Sequence, residues 1–532
     1  MACAGGGCVG CNPDLEQPGM STLHVLTLLT VLPILGAAIA LFAGKHARLV
    51  ALVATLAGLA ISVFVWMQLP ASGGMGMVER AAWAPSLGIE YHLGVDGLGA
   101  LMLVLSAVVT LMSVDAAHRV HHQPGLYFAL VLLLEAGLFG TFTALNFFHW
   151  FMFWELSLIP AFFLIKLWGG EKRGPAATQF FVYTMVGSVG LLIAMLAVFL
   201  STGSMDFQHL TLLASTGELE QLVANHLGSV VFGGPVMMWL AAGALLGFAV
   251  KVPMFPFHTW LPAAYAEAPS PVTMLLTGAM SKMGVYGLLR IAIPLFGPQI
   301  SQMRTPLLVL AVATVVMGAW AAVQQKDLKR VFAYSSVNHL GYCLLGIFAL
   351  AVPIAAGDAG AHASQAAALN GVILQMFNHG LTAAALFWFV AILQMRTGGH
   401  RGIDEFGGLR KPAPVLAGLM GIALFSSLGL PGLNGFVGEF LIFRGVFSLA
   451  WLAATVSILG LLVTAAVILT VIQKVFSGPT PEHCASFPDL DHGERFALAP
   501  VIGLMLLLGI VPQLIVDSVN PTVQNLLAHW RF

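Results

Sequence analysis

Seven ionisable side chains stand inside runs that otherwise hold almost only apolar residues: Glu135, Glu155, Lys251, Lys282, His339, His379 and Glu439. A charge at the centre of a bilayer-spanning helix costs at least ~2.5–3.5 kcal/mol on insertion scales. A purely structural core would carry leucine at these positions. Hydrogen bonding between helices could account for any one of them, but the set points to a polar pathway. The residue types suit protons. Desolvation disfavours the charged form of lysine and of glutamate, and a nearby opposite charge restores it. A Lys–Glu pair whose separation changes can therefore load and release a proton. Neutral imidazole accepts on one nitrogen and donates from the other, so His339 and His379, on consecutive apolar runs, suit relay stations better than axial haem ligation. Moving one charge against ~150–200 mV takes ~3.5–4.6 kcal/mol. A change of about three pKa units is worth ~4 kcal/mol, within reach of breaking and remaking one buried ion pair.

The elements that hold these groups follow from composition. Of 532 residues, 58% are hydrophobic and 8% charged, with a mean hydropathy of +0.91. An ordinary soluble domain carries about 25% charged residues. Disorder needs the opposite balance. A net charge of −1 leaves no basic surplus for nucleic acid. A membrane helix needs ~20 apolar residues, and a β-barrel shows only weak alternating stretches. The predicted fold class is therefore all-α, a polytopic membrane protein in the lipid bilayer. About fourteen spans are expected, near 23–44, 49–69, 94–113, 125–145, 147–168, 176–201, 236–257, 268–293, 305–325, 328–352, 366–395, 413–447, 451–476 and 494–517.

Lysine and arginine orient the spans, because cytoplasmic loops collect them. Odd-numbered connections hold fourteen, among them Lys45, Arg119, Lys172, Lys326, Arg401 and Lys474; even-numbered ones hold three, Arg80, Arg304 and Arg444. Odd connections are thus cytoplasmic and both termini periplasmic. Two spans carry breaks: Lys251-Val-Pro253-Met-Phe-Pro256 in the seventh, and Leu428-Gly-Leu-Pro431-Gly-Leu-Asn434-Gly435 in the twelfth. Proline removes a donor and clashes with the preceding turn. Unwound backbone at this depth must be covered by protein or line a cavity. Breaks five spans apart predict two five-helix repeats of opposite topology. The expected organisation is an extension at 1–22 without fixed structure, helices 1–3 at 23–122, a first repeat at 123–293, a second at 294–476, and a loop and final helix at 477–532.

Gly5-Gly-Gly7-Cys-Val-Gly10 and Cys8-Val-Gly-Cys11 match short cofactor patterns without their context, since no strand precedes them and only Cys3, Cys8 and Cys11 are at hand. They are read as part of a non-functional extension ahead of Met20. No Walker A, H-E-x-x-H or G-x-S-x-G pattern occurs, and no cofactor or metal site is expected in this chain.

Several longer motifs are distinctive: Phe153-Trp-Glu155-Leu-Ser-Leu-Ile-Pro160, Lys251-Val-Pro-Met-Phe-Pro-Phe-His258-Thr-Trp-Leu-Pro262, Ala268-Pro-Ser-Pro271, Ser281-Lys282-Met-Gly-Val-Tyr-Gly287, Gln325-Lys-Asp327-Leu-Lys-Arg330, Ala333-Tyr-Ser-Ser-Val-Asn-His339-Leu-Gly341 and Gly429-Leu-Pro-Gly-Leu-Asn-Gly-Phe-Val-Gly-Glu439-Phe. Over nearly all of 20–532 the chain resembles the antiporter-like proton-channel subunits of respiratory complex I, the proton-translocating NADH–quinone oxidoreductase, and among them the M type. The resemblance implies that Glu155 pairs with Lys251, that Lys282 is the central lysine, that His339 and His379 belong to a hydrated axis, and that Glu439 is the exit-side group. Glu135 matches a fourth-helix glutamate of the M type. N-type relatives usually place lysine at the Glu439 position, and the L type adds a long lateral helix after the fourteenth span. The resemblance further implies a bacterial inner-membrane location and L-type and N-type neighbours. Partner subunits would carry FMN and iron–sulfur clusters and bind quinone. The rival readings are a subunit of a multi-chain cation/proton antiporter, or the membrane arm of a hydrogenase-type or carbon-dioxide-uptake complex.

Overall fold

The computed structural model describes residues 24–84, 89–355 and 357–532. The expected extension at 1–22 and its cysteines lie outside the described residues. Among the described residues, twelve helices are long and apolar enough to cross a membrane. They are Val25–Phe42, Gly44–Met67, Gly97–Ala116, Pro124–Thr143, Phe147–Trp168, Arg173–Thr202, Ser270–Gln302, Arg304–Val323, Leu328–Leu350, Ala359–Arg396, Trp451–Phe476 and His492–Ile510. Two further apolar spans are interrupted. The seventh consists of Val236–Lys251 and Trp260–Glu267. The twelfth consists of Pro414–Leu428 and Asn434–Leu449. In chain order these make the fourteen spans numbered below.

The spans divide into an inner and an outer set. Every residue in the apolar windows of spans 8 and 11 is buried, whereas only 33% of the window in span 13 is. Outer spans turn Leu35, Ile39, Leu49, Val186, Ile193, Val309 and Leu462 outward. In lipid such faces need no cover, because the acyl chains are as apolar as the side chains. The polar residues concentrate instead on the inner helices. Spans 6 and 7 close on glycine: a Cβ on Gly247 would lie 3.0 Å from the Gly187 carbonyl oxygen. That approach is how helices pack without a hydrophobic driving force.

Helix ends are held by side chains, because the first amides of a helix lack partners. Asp96 accepts from the Gly99 amide at the start of span 3, and Asn146 from the Phe148 amide at the start of span 5. Arg304 donates to the carbonyls of Ala349 and Leu449, binding the C-terminal ends of spans 10 and 12 together. Asp489, in the connection before span 14, accepts from the amides of Val415 and Leu416 at the start of span 12.

Several expected boundaries move. The first half of span 7 stops at Lys251, because Pro253 and Pro256 supply no amide donor, and the span resumes at Trp260. Span 8 continues past 293 to Gln302, kinked at Phe296, and span 11 begins at Ala359 rather than 366. Span 14 stops at Ile510, ahead of Pro512; the chain then forms a separate helix, Gln513–His529, with an apolar side that includes Ile515, Val519 and Val523. The connection at 202–235 is not a plain loop but holds helices Phe207–Thr216 and Glu218–Leu227. Strands Gly76–Ala84 and Ile89–Val95 form an antiparallel hairpin between spans 2 and 3. The first strand is mostly exposed and its register is irregular, so it lacks the alternation that would mark it in sequence.

Burial opposes ionisation of Asp489, but the amides of Leu416, Val415 and Leu490 and the nearby Arg495 outweigh it and hold the carboxyl below the usual range. Asp489→Ala is therefore expected to lower the thermal midpoint of the detergent-solubilised assembly, by the equivalent of about 1–2 kcal/mol for a lost cap. A carboxyl depressed in the folded state stabilises above its unfolded value of about 3.9 and loses that contribution as pH falls through the depressed value. The gap between wild type and variant should be full at neutral pH and shrink in acid.

Candidate functional site: a buried file of titratable side chains

Lys282 lies at the centre of span 8 and is fully buried. Two π-helical turns, Leu276–Met280 and Leu288–Ala292, flank it. Such turns disturb the regular ladder and are frequent at functional positions. The Lys282 Nζ reaches the Thr277 carbonyl at 2.5 Å, Ser281 Oγ at 3.3 Å and His379 Nδ1 at 2.8 Å. A charged Lys282 donates to that nitrogen, so His379 carries its own proton on Nε2.

The next two groups are imidazoles that no direct hydrogen bond joins among the described residues. The rings of His379 on span 11 and His339 on span 10 are 5.2 Å apart, centre to centre. His339 Nδ1 is 3.0 Å from Glu439 Oε1 on span 12, and its Nε2 is 3.3 Å from Ser427 Oγ. All three side chains are buried. A cavity of about 20 Å³ lies among Ser336, His339, Asn378, His379, Ser427 and Glu439. That is room for a single water with polar partners on several sides. Proton transfer is feasible directly across the 2.8 Å and 3.0 Å contacts, and through one water where a wider interval holds one.

The break in span 12 makes room for Glu439. Gly429 has φ +81°, and a Cβ there would lie 2.6 Å from Glu439 Oε2. Asn434 ties the break to its neighbours: Ser426 Oγ donates to its side-chain oxygen at 2.6 Å, and Asn378 Nδ2 donates to its carbonyl at 2.7 Å. Asn434 and these partners are buried, whereas Leu430, Pro431 and Gly432 of the break itself are exposed.

The break in span 7 serves Lys251. This buried residue is the last of the half-helix Val236–Lys251, at the end where the backbone dipoles carry partial negative charge, and the carbonyls of Phe248, Ala249 and Val250 accept from the Val252 and Met254 amides and from Trp260 Nε1. Its Nζ rests over the Trp154 ring at 4.7 Å, and Trp154 Nε1 donates to Ser188 Oγ at 3.0 Å. Among the described residues no ion pair joins Lys251 to Glu155, although Glu155 follows Trp154 directly. The expected direct Glu155–Lys251 pair is therefore absent from this conformation. Glu135 on span 4 is fully buried, and neither of its carboxylate oxygens has a hydrogen-bond partner among the described residues. Four of the seven expected residues thus form one file, while Glu135, Glu155 and Lys251 stand apart from it.

The structure adds groups that the sequence reading does not single out. Asn378, Asn434, Ser426 and Ser427 line or brace the file. Arg290, two helical turns beyond Lys282, forms a buried ion pair with Asp96, its Nη2 at 2.7 Å from both carboxylate oxygens. An arginine within the predicted span 268–293 was itself a visible signal, but its partner 194 residues away was not. His92 and Asp206 meet at 2.5 Å and lock the hairpin to the connection after span 6. Together with Glu90 they form a group that could hold a metal ion, but Arg80 already pairs with Glu90 at 2.6 Å.

Fourteen apolar spans, two of them broken beside buried ionisable groups, define a membrane protein of the ion-translocating class. Residues 144–468 match the family described as NADH:quinone oxidoreductase/Mrp antiporter, TM. The chain is 34% identical over 520 residues to NADH-quinone oxidoreductase subunit M of Rhodobacter capsulatus, covering 96% of this chain and 97% of that one. It superposes on a chain of respiratory complex I from Thermus thermophilus with a TM-score of 0.82 and 28% identity, covering 95% of this chain and 100% of the other. A chain of the Mrp complex from Dietzia shares the fold, with a TM-score of 0.80 at 22% identity and 95% and 98% coverage. The chain belongs to the NADH:quinone oxidoreductase/Mrp antiporter membrane family.

His339 and Glu439 are 3.0 Å apart, and substitutions of residues in contact are generally not additive. His339→Gln and Glu439→Gln should each cut proton pumping by the assembled complex. The double variant should be little worse than the more damaging single one. Multiplying defects would show that the two residues serve separate routes.

Proposed function

We propose that this chain is an M-type, proton-carrying membrane-arm subunit of an NADH–quinone oxidoreductase. The observation that carries this reading is the file Lys282–His379–His339–Glu439, with contacts of 2.8 Å and 3.0 Å at its two ends and imidazole rings 5.2 Å apart between them, beside a cavity of about 20 Å³. Lys282 and the two imidazoles can each carry the positive charge in turn and Glu439 neutralises it at the end, so a proton entering at Lys282 has an acceptor at each stage. Glu439, beside the break in span 12, releases the proton outward. Lys251 and Glu155 form the uptake side. In the present conformation Lys251 rests on Trp154; its approach to Glu155 favours the protonated amine and its withdrawal releases the proton toward Lys282. Glu135 is a further acidic station on the same side.

In this reading NADH oxidation and quinone reduction take place in partner subunits, which carry the FMN, iron–sulfur clusters and quinone site, and this chain contributes no redox group. L-type and N-type subunits flank it in the membrane arm. Residues 123–293 and 294–476 are two halves of inverted topology, each with one broken helix. The protein resides in a bacterial inner membrane with odd-numbered connections in the cytoplasm and both termini in the periplasm, as the lysine and arginine distribution supports.

Glu155→Ala or Lys251→Ala should abolish or strongly reduce coupled proton pumping while the complex still assembles, and Glu155→Asp should be milder because the charge remains. Near-wild-type pumping in either alanine variant overturns the assignment of the uptake side.

Orientation has its own test. A reporter active only in the cytoplasm, fused after Phe532, should stay silent; a strong signal would reverse the assigned topology.

A further inference from the structure

We propose that the Asp96–Arg290 pair is a proton seal, closing a short route between one membrane face and the central Lys282. The proposal rests on the reading of Lys282 as a proton-carrying group.

The geometry has three parts. The first is a cavity of about 380 Å³ at the end of the bundle that carries the hairpin, the helix Phe207–Thr216 and the C-terminal helix. Exposed Gln208, Leu212 and His529 border it on one side, and buried Asp96 and Arg290 on the other. The second is the pair itself, in which one guanidinium nitrogen lies 2.7 Å from each Asp96 oxygen. Asp96 Oδ1 also accepts the Gly99 amide at 3.0 Å, so the carboxylate is fixed to the start of span 3. The third is the helix behind the pair. Lys282, Tyr286 and Arg290 follow one another at intervals of four residues on span 8, placing Arg290 about 12 Å from Lys282 along the axis. The Tyr286 ring fills part of that interval, 5.4 Å from the guanidinium carbon, and its hydroxyl donates to the Phe142 carbonyl at 3.2 Å.

Chemistry decides what such a stack does. Lys251, Lys282, His339 and His379 can each give up a proton. Arginine remains protonated in proteins, so a file that ends on it is a dead end for proton hopping. Tyr286 directs its hydroxyl hydrogen to a backbone carbonyl, away from a relay. The cavity brings the outside to within two helical turns of Lys282, and the pair with Tyr286 stops it there. Without this barrier a proton pumped outward could return to Lys282 without crossing the His379–His339–Glu439 file. The Arg290 Nε has no hydrogen-bond partner among the described residues, and the guanidinium is held through Nη2 and by the ring beneath it.

The test uses the complete respiratory complex in sealed proteoliposomes. Passive proton influx is measured without NADH under a potassium diffusion potential, alongside uncoupled NADH–quinone reduction. Arg290→Lys keeps the charge and the partner but introduces a group that can deprotonate. It should assemble and retain uncoupled turnover, yet raise passive influx by about tenfold, the change expected when a barrier falls by ~1.4 kcal/mol. Asp96→Asn with Arg290→Gln, which removes both charges together, should leak at least as much. Adding Lys282→Met to either should return influx to the wild-type level. An assembled Arg290→Lys complex as tight as wild type would show that the pair is structural only and overturn the proposal. A leak that persists without Lys282 would overturn it as well. Failure of the proposed function would instead register as normal pumping in the Glu155 and Lys251 variants, whatever the leak.

Discussion

Removing a charge from water without a partner costs several kcal/mol, and the bilayer interior offers no water to soften that cost. This constraint explains both where the helices run and where they stop running. In an apolar solvent every backbone donor must be satisfied within the chain, which leaves helices as the economical solution for the spans. The same solvent makes each buried lysine, histidine or glutamate dependent on its immediate neighbours. The inner spans 8, 10, 11 and 12 therefore gather polar side chains within the bundle, among buried apolar ones, and the outer spans turn apolar side chains to lipid.

The two broken spans show how local backbone chemistry supports this arrangement. In span 7 the first half-helix ends on Lys251, where the backbone dipoles present partial negative charge to an ammonium with no carboxylate in ion-pair contact among the described residues. In span 12 the interruption is held by Asn434, Asn378 and Ser426, and Gly429 leaves the space that Glu439 occupies. The first break helps a cation persist without a fixed partner. The second makes room for an acid beside a histidine.

The buried charges also differ in what they can do. Lysine, histidine and glutamate can exchange protons, and they form the file from Lys282 to Glu439. Asp96 and Arg290 are as deeply buried and as closely paired, but an arginine does not release its proton. A membrane subunit that moves protons in one direction needs both kinds of site: groups that exchange at the centre, and groups that do not at the openings. Span 8 carries one of each, Lys282 and Arg290, separated by Tyr286.

Much of this was legible in the amino-acid order. Apolar runs of membrane length located the spans, prolines located both breaks, and ionisable residues in those runs named the seven candidates, because each signal is local and each violation of hydrophobicity is expensive. Signals weak in hydrophobic contrast were not legible. The hairpin at 76–95 lacks alternation, and the helices within 202–235 and after Pro512 are short or amphipathic. Tertiary structure alone decided which charges meet. Lys282 meets His379 across 97 residues and Arg290 meets Asp96 across 194, whereas Glu155 and Lys251, expected to pair, do not touch. A span's hydrophobicity is a sum over its own residues and can be read along the chain. The distance between two side chains depends on how helices rotate and pack against one another, and uniformly apolar helices carry no periodic stripe that would set that rotation in advance.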